Sequence, residues 1–188
     1  MSTNTELQAA KTGKKDEFYT QYSDIEIELS NHKKQFKNAT VFCNCDDPTW
    51  SNFWRYFHIN FWKLKLKKLV STHYQVGQAT YKMEYTGGND GDIEAGIKTA
   101  LVGDGDFRSD ECLKILKESD IIVTNPPFSL FREYVSTLIK YDKKVIIIGN
   151  MNSITTKDVF PLFRDGKLWY GKSIHSGDRK FFVPDDYP

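Results

Sequence analysis

Long apolar runs are missing from this sequence: the longest, Val145–Ile148, is four residues in a chain of 188. A membrane-spanning helix needs about 20 in a row and a secretory signal an apolar centre of roughly 7–15, so neither is expected and a cytoplasmic setting follows. Cysteine is scarce as well. Cys43, Cys45 and Cys112 make an odd count. A C-x-C pair on an apparent strand, with no second pair, suits neither a disulfide framework nor a zinc site, which leaves core thiols. An excess of one charge is also lacking: 26 basic and 25 acidic residues give a formal net charge of +1. No global positive field therefore marks nucleic acid as a partner, although a local basic face stays open. Between Arg164 and Lys180 five basic and two acidic residues leave a local excess of +3. Arg164, Lys167, Lys172, Arg179 and Lys180 form either a phosphate-facing surface or a solvated face. His32, His58 and His175 lack partners at metal or triad spacing and read as surface or packing residues. Internal repeats and low-complexity tracts are absent.

What is present is a chain of alternating strand and helix signals. Residues 1–15 are polar without apolar periodicity and read as a disordered leader, which leaves 16–188 as one α/β domain. Tyr22, Ile25, Leu29 and Phe36 recur at helical spacing, and Thr40–Cys45 is β-like until Asp46-Asp47-Pro48 stops it. From Thr49 to Lys65 a helix is expected, capped by Thr49 or Ser51, with Trp50, Phe53, Trp54, Phe57, Phe61 and Leu64 on one packed face. Leu69–Tyr74, Ala79–Tyr85 and Ile97–Val102 read as strands. The last two form either a hairpin or an insertion followed by a core strand. A helix from Ser109 to about Lys117, the strand Asp120–Thr124, a helix over Ser129–Lys140 and the strand Lys144–Gly149 follow. A helix at Thr155–Arg164 and a short strand at Leu168–Tyr170 close the pattern. Such alternation predicts an α/β fold, an open, mostly parallel sheet with helices on both faces, in which ligands bind outside the carboxyl ends of the strands. Asp46, Asp47, Asp104, Asp106 and Asn125 all follow β-like runs.

Asn125-Pro126-Pro127-Phe128 carries the clearest chemistry. Two prolines remove two backbone donors, fix two φ angles and push the residue before each into an extended conformation. At the end of a buried strand this makes a rigid shelf, on which the Asn125 amide oxygen and the Pro126 carbonyl can point at one place beside the Phe128 ring. Such a shelf suits an exocyclic amine whose lone pair is delocalised into an aromatic ring. Two acceptors hold its hydrogens and draw the nitrogen toward tetrahedral geometry, so orientation and electrostatics supply the rate gain. Phe128 would stack on the base face. The plainer reading is a strand exit stiffened by Pro-Pro; the apolar strand directly before it favours the shelf.

Asn125-Pro126-Pro127-Phe128 behind an apolar strand resembles the catalytic motif of amino-methyltransferases. Together with Asp46-Asp47-Pro48-Thr49-Trp50-Ser51-Asn52-Phe53, Gly103-Asp104-Gly105-Asp106-Phe107-Arg108-Ser109 and Thr124–Phe131, it is similar to the EcoRI-type adenine-specific DNA methyltransferases, from about Lys15 to the last residues. The resemblance implies the S-adenosylmethionine-dependent methyltransferase fold, with 16–188 its N-terminal part. It also implies methyl transfer to the N6 amine of adenine, with S-adenosylmethionine as cofactor and double-stranded DNA as partner. Phe18, Tyr19 and Thr20 match the aromatic-Thr segment that lines the cofactor pocket. Asp46 or Asp47 would hold the methionine ammonium. Asp104 and Asp106 would meet the cofactor's adenine amine, with Phe107 packed on its ring. Two departures stand out: the first cofactor loop lacks glycines, and His73 and Tyr74 replace the acid expected after the second strand. The family's sheet is expected to have seven strands, so a downstream chain completing the fold is a further expectation. Rival readings are a protein-glutamine or ribosomal-RNA-guanine methyltransferase, and a catalytically silent fragment acting as a binding or structural module.

Overall fold

The structure is a computed structural model and describes residues 19–89, 91–174 and 181–182. Along the chain come β1 (Tyr19–Thr20), α1 (Tyr22–Ser30), β2 (Thr40–Cys43), α2 (Asn52–Ile59), α3 (Phe61–Leu64), β3 (Lys68–Thr72), β4 (Tyr81–Tyr85) and β5 (Ile97–Ala100). Then follow α4 (Asp110–Glu118), β6 (Ile121–Thr124), α5 (Phe131–Lys140), β7 (Lys144–Ile147), α6 (Phe160–Arg164) and β8 (Phe181–Phe182). Six strands form one sheet in the order β5-β4-β3-β2-β6-β7. β2, β3, β6 and β7 are mutually parallel, while β4 is antiparallel to both of its neighbours. The expected mostly parallel sheet is therefore present, and β4 and β5 are a hairpin, with β4 inserted between β3 and β5.

Side-chain alternation builds the two faces. Val41, Cys43, Leu69, Ile121 and Val123 pack with Ile25, Leu29, Phe53, Trp54 and Phe57 of α1 and α2. Phe42, Val70 and Ile122, one position out of phase, pack instead with Ile115 and Leu116 of α4 and Tyr134 and Leu138 of α5. Both faces are thus covered by helices, which is why β2 and β6 are buried at every residue. Each such buried side chain contributes about 1.5–3 kcal/mol over its exposed state.

The hairpin puts β5 two strands away from β3, so the chain leaving it must cross back toward the middle of the sheet. It does so over the start of β4: Leu101 N donates to Thr80 O at 2.7 Å, Thr80 N to Gly103 O at 3.2 Å, and Gln75 N to Asp104 O at 2.9 Å. Gly105, with φ +79°, lies so close to β3 that a Cβ there would stand 2.1 Å from the His73 carbonyl oxygen. Only glycine supplies both the conformation and the space.

Several boundaries differ from expectation for local reasons. The helix over Thr49–Lys65 breaks at Asn60, which turns out of the helical region at φ −98°, ψ 13°. Trp50 precedes the cap and is 46% exposed, so it does not share the packed face of Phe53, Trp54, Phe57, Phe61 and Leu64. The helix at Thr155–Arg164 shortens to Phe160–Arg164, preceded by a 3-10 turn at Met151–Thr155. Leu168–Tyr170 is not a strand: among the described residues no neighbouring strand reaches it, and Trp169 is 75% exposed.

Two long-range ties join the ends of the described chain. β1 pairs antiparallel with β8, Tyr19 opposite Phe182. Glu28 on α1 accepts from the backbone N–H groups of Lys172 at 2.9 Å and Ser173 at 2.7 Å, and from His32 at 2.7 Å. Burial opposes the charge on Glu28, but these bonds outweigh it and hold its carboxyl down at about 2. His32 therefore has a hydrogen-bond partner one helical turn away, at neither metal nor triad spacing. His58 is fully buried against Tyr85, centroids 4.0 Å apart, as a packing residue. Among the described residues no helix is long and apolar enough to cross a membrane, and no group of His, Cys, Asp or Glu is placed to hold a metal ion.

Candidate active site

The sheet order reverses at β2: β3 lies on one side of it and β6 on the other. Such a switch point leaves a crevice outside the carboxyl ends of the strands. The structure has a cleft there, about 400 Å³ of empty space counted out to its open mouth. Asn44 and Cys45 after β2, Tyr74 after β3, Gly105, Asp106 and Phe107 on the returning loop, and Pro127 and Leu130 after β6 line it. The walls are mainly apolar, with an acid at one edge, a composition suited to a planar heteroaromatic ring.

Behind the wall, one residue past Cys45, Asp46 organises the strand ends. It is buried, and three protein donors converge on its carboxylate. Ser51 Oγ donates to Oδ1 at 2.8 Å, while Thr124 Oγ1 and Asn125 N donate to Oδ2 at 2.5 and 3.2 Å. Ser51 also caps α2, accepting from Phe53 N at 3.1 Å. Thr124 Oγ1 accepts from Cys45 N at 3.0 Å, and Ser71 Oγ donates to the Asp46 carbonyl. One residue thereby links the ends of β2, β3 and β6 with the start of α2, its carboxylate reaching β6 and α2 and its carbonyl β3. Burial outweighs the three hydrogen bonds and pushes the Asp46 carboxyl up to about 6.

Asp47 turns the other way. Its Oδ1 accepts from Thr49 N at 2.8 Å and Tyr81 Oη at 3.4 Å, and His73 Nε2 stands 3.3 Å from Oδ2. His73 in turn stacks on Tyr81, centroids 5.1 Å apart at 14°. On the returning loop Asp104 Oδ1 accepts from Asp106 N at 3.1 Å. Asp106 is clamped by its own neighbour: Arg108 Nε reaches Oδ1 at 2.8 Å and Nη2 reaches Oδ2 at 2.5 Å. Phe107 is buried edge-to-face on Tyr134, centroids 4.9 Å apart, with Arg108 over its ring at 5.3 Å.

Of the sequence-derived candidates, Asp106, Phe107 and Pro127 share the cleft wall. Asp46 and Asn125 are joined by a direct hydrogen bond. Asn125 and Pro126 are buried, while Phe128 is half-buried at the start of the 3-10 turn Phe128–Leu130. Thr20 is buried beside this network; its carbonyl accepts from Asn52 Nδ2 at 2.9 Å, and its hydroxyl finds no hydrogen-bond partner among the described residues. Tyr19 enters only through its strand pairing with Phe182. Phe18 lies outside the described residues, as do residues 1–15, His175, Arg179 and Lys180. Sequence reasoning missed Asn44, Cys45 and Leu130 as cleft walls, and Thr124 and Ser71 as partners of Asp46.

A switch-point cleft beside an Asn-Pro-Pro-Phe strand exit defines the class as an α/β protein with a mainly apolar cleft at the carboxyl ends of its parallel strands. The family described as adenine-specific methyltransferase EcoRI matches residues 6–188, and the chain belongs to it. It is 48% identical to the type II methyltransferase M.EcoRI of Escherichia coli, over 99% of this chain and 61% of that one. It is 39% identical to a type II methyltransferase of Mycoplasma genitalium, over 95% of this chain and 54% of that one. With M.MpnI of Mycoplasma pneumoniae the identity is 38%, over 89% of this chain and 50% of that one. The chain thus spans between half and about three fifths of the length of these relatives. No solved structure matches.

Proposed function

We propose that this chain carries the catalytic face of a DNA methyltransferase that transfers a methyl group from S-adenosylmethionine to the N6 amine of adenine. The observation that carries the reading is the anchoring of Asn125-Pro126-Pro127-Phe128 to Asp46 at the rim of the switch-point cleft. Family membership turns the reading toward adenine in DNA and away from protein glutamine or ribosomal-RNA guanine.

The residues fit the cofactor. Phe107, Tyr74 and Pro127 offer flat apolar walls for its adenine, and Asp106 brings a carboxylate, an acceptor for the adenine amine, to the cleft wall. The orphaned Thr20 hydroxyl offers a buried polar contact, and Asp47 offers a carboxylate for the ammonium end, the Asp46 carboxylate being taken by Ser51, Thr124 and the Asn125 N–H. When bound, S-adenosylmethionine supplies an electrophilic methyl group on a sulfonium. The chain's own residues do the rest. The Asn125 amide oxygen and the Pro126 carbonyl hold the two hydrogens of the target amine, which frees its lone pair. Phe128 stacks on the face of the extruded base and fixes its plane. No covalent enzyme intermediate is required.

Double-stranded DNA is the proposed substrate and the cytoplasm the proposed setting. A further segment or chain completing the sheet would join at β7, which is only half-covered at Val145–Ile147 while β6 is buried throughout. The test is methyl transfer to adenine-containing duplex DNA by the full-length protein. Asn125→Ala should lower turnover by roughly two to three orders of magnitude while cofactor affinity changes less. Full turnover with alanine at 125 would reduce the Pro-Pro segment to a stiff loop.

A further inference from the structure

Asp46 and Asn125 are 79 positions apart in sequence, yet the N–H of Asn125 and the hydroxyl of the residue before it end on one oxygen, Asp46 Oδ2. The other oxygen is fixed by Ser51, itself fixed as the cap of α2, and the Asp46 backbone is fixed by Ser71 on β3. A carboxylate held from three directions is a template. The backbone at 125 cannot turn without breaking a charge-assisted bond, a class of contact about twice as strong as a neutral one. Building on the reading of Asn125 as the residue that holds the amine, we propose that Asp46 is the positioning residue of the shelf. Its ionised carboxylate sets the Asn125 backbone, directly and through Thr124, and the shelf is set only while that charge is present.

The logic is one of hydrogen counting. Every partner of the carboxylate is a donor: Ser51, Thr124 and the Asn125 N–H. Protonation adds a hydrogen where an acceptor was, so a hydroxyl partner must turn from donor to acceptor. The Asn125 amide cannot reorient as a hydroxyl can, and its bond to Oδ2 falls from a charge-assisted one to a neutral one about half as strong. The chemistry falls in an accessible range because burial lifts this carboxyl to about 6. The titratable groups around it do not compete. Burial raises the Cys43 thiol on β2 and the Tyr134 hydroxyl on α5 well above their ordinary values, so both stay neutral. Asp47, next in the chain, faces His73 and Tyr81 instead. Ser51, Ser71 and Thr124, from α2, β3 and β6, bring no charge. Turnover should therefore rise with pH through about 6 and level off above it.

The direct measurement is the amide resonance of Asn125 in the isotopically labelled full-length protein. It should titrate with a midpoint near 6 in the parent and stay flat in Asp46→Asn. In the methyl-transfer assay Asp46→Asn should lower kcat roughly ten- to hundredfold, the worth of one hydrogen bond to a charged group, and abolish the acid limb of the pH profile. KM for S-adenosylmethionine should move by less than about threefold, since a positioning residue acts on the transition state. Thr124→Val should reproduce part of the loss, and Thr124→Ser, which keeps the hydroxyl, should restore it. Asn125→Ala run in parallel separates the two readings. Full turnover there sinks the shelf while leaving the titration of the 125 amide standing. A collapse there alongside an unchanged kcat and acid limb in Asp46→Asn overturns the positioning role. So does an effect of Asp46→Asn confined to cofactor KM, or a parent amide at 125 that ignores pH between about 5 and 7. If Asp46→Asn does not fold, equal turnover of the valine and serine variants at 124 overturns it as well.

Discussion

Gly105 is the position where a single methyl group should do the most damage to the cleft. Gly105→Ala adds a Cβ at φ +79°, and that atom would lie 2.1 Å from the His73 carbonyl oxygen, where real Cβ contacts essentially never fall below 3.0 Å. The left-handed conformation alone costs an L-residue about 1–2 kcal/mol. Relieving the collision requires the loop to back away from β3, which stretches Gln75 N to Asp104 O, now 2.9 Å, and Thr80 N to Gly103 O, now 3.2 Å. With each such bond worth about 1 kcal/mol, the total reaches about 3–4 kcal/mol. Gly103, two residues earlier, is the internal control, because a Cβ there meets only Glu111 Oε2 at an ordinary 3.5 Å. Urea unfolding of the two alanine variants should show Gly103→Ala within about 1 kcal/mol of the parent and Gly105→Ala lower by about 1 M or more in midpoint, with the slope unchanged. Because the retreating loop carries Asp106 and Phe107, Gly105→Ala should also weaken cofactor binding measured by calorimetry. Equal midpoints for the two variants would mean that the loop does not press on β3, and the cleft wall would need another explanation.

Phe128→Ala removes a stacking face worth about 1–3 kcal/mol per base and should chiefly weaken capture of the target adenine, with Phe128→Trp tolerated in the same methyl-transfer assay. Glu28 is held near 2, below its ordinary 4.5, so its stabilising contribution is complete above 4.5 and disappears as pH falls through about 2. Glu28→Gln should flatten that part of an acid-unfolding curve and speed exchange of the Lys172 and Ser173 amide protons, the two it binds. For DNA, Arg164 is already paired with Asp165 at 2.7 Å, which leaves Lys167 and Lys172 as the described cations of the C-terminal cluster. If both face phosphates, their joint replacement by alanine should lower the slope of log affinity against log salt by about 1.8, or 0.9 each, and an unchanged slope would assign them to solvent.

Much of this architecture could be read in advance where the signal is local. The three apolar residues of β6, the Ser109 cap with its helix at Asp110–Glu118, and the capping serine of α2 were legible because each depends on neighbours within a turn. Leu168–Tyr170 misled because three apolar residues look the same whether or not a neighbouring strand exists to pair them. Trp50 misled because it keeps helical spacing with Phe53 while lying ahead of the cap at Ser51. The β4–β5 insertion was undecidable, since pairing partners are chosen across space. The Asp46 hub was the largest omission. Its partner Thr124 is 78 residues away. Thr124 is a small polar residue at the carboxyl end of the otherwise apolar β6, and Ser71 one near the carboxyl end of β3. Such residues must find hydrogen-bond partners once buried, and the paired acids after β2 were the obvious ones. That pattern was visible; its geometry was not.

The pairing of β1 with β8 fixes an order of events during synthesis. Tyr19 leaves the ribosome early, but its strand partner Phe182 is 163 residues further on. At about 5–20 residues per second, roughly ten to thirty seconds separate their appearance. Through that interval Thr20, with its buried hydroxyl beside the first turn of α2, has only half of its eventual frame. The nascent chain can assemble β2, β3, β6 and the Asp46 junction as soon as Asn125 emerges. The N-terminal edge of the same site must wait for a segment made after all of them. Truncation between Asn125 and Phe182 would therefore release chains whose Asp46–Asn125 junction is formed and whose N-terminal edge is not.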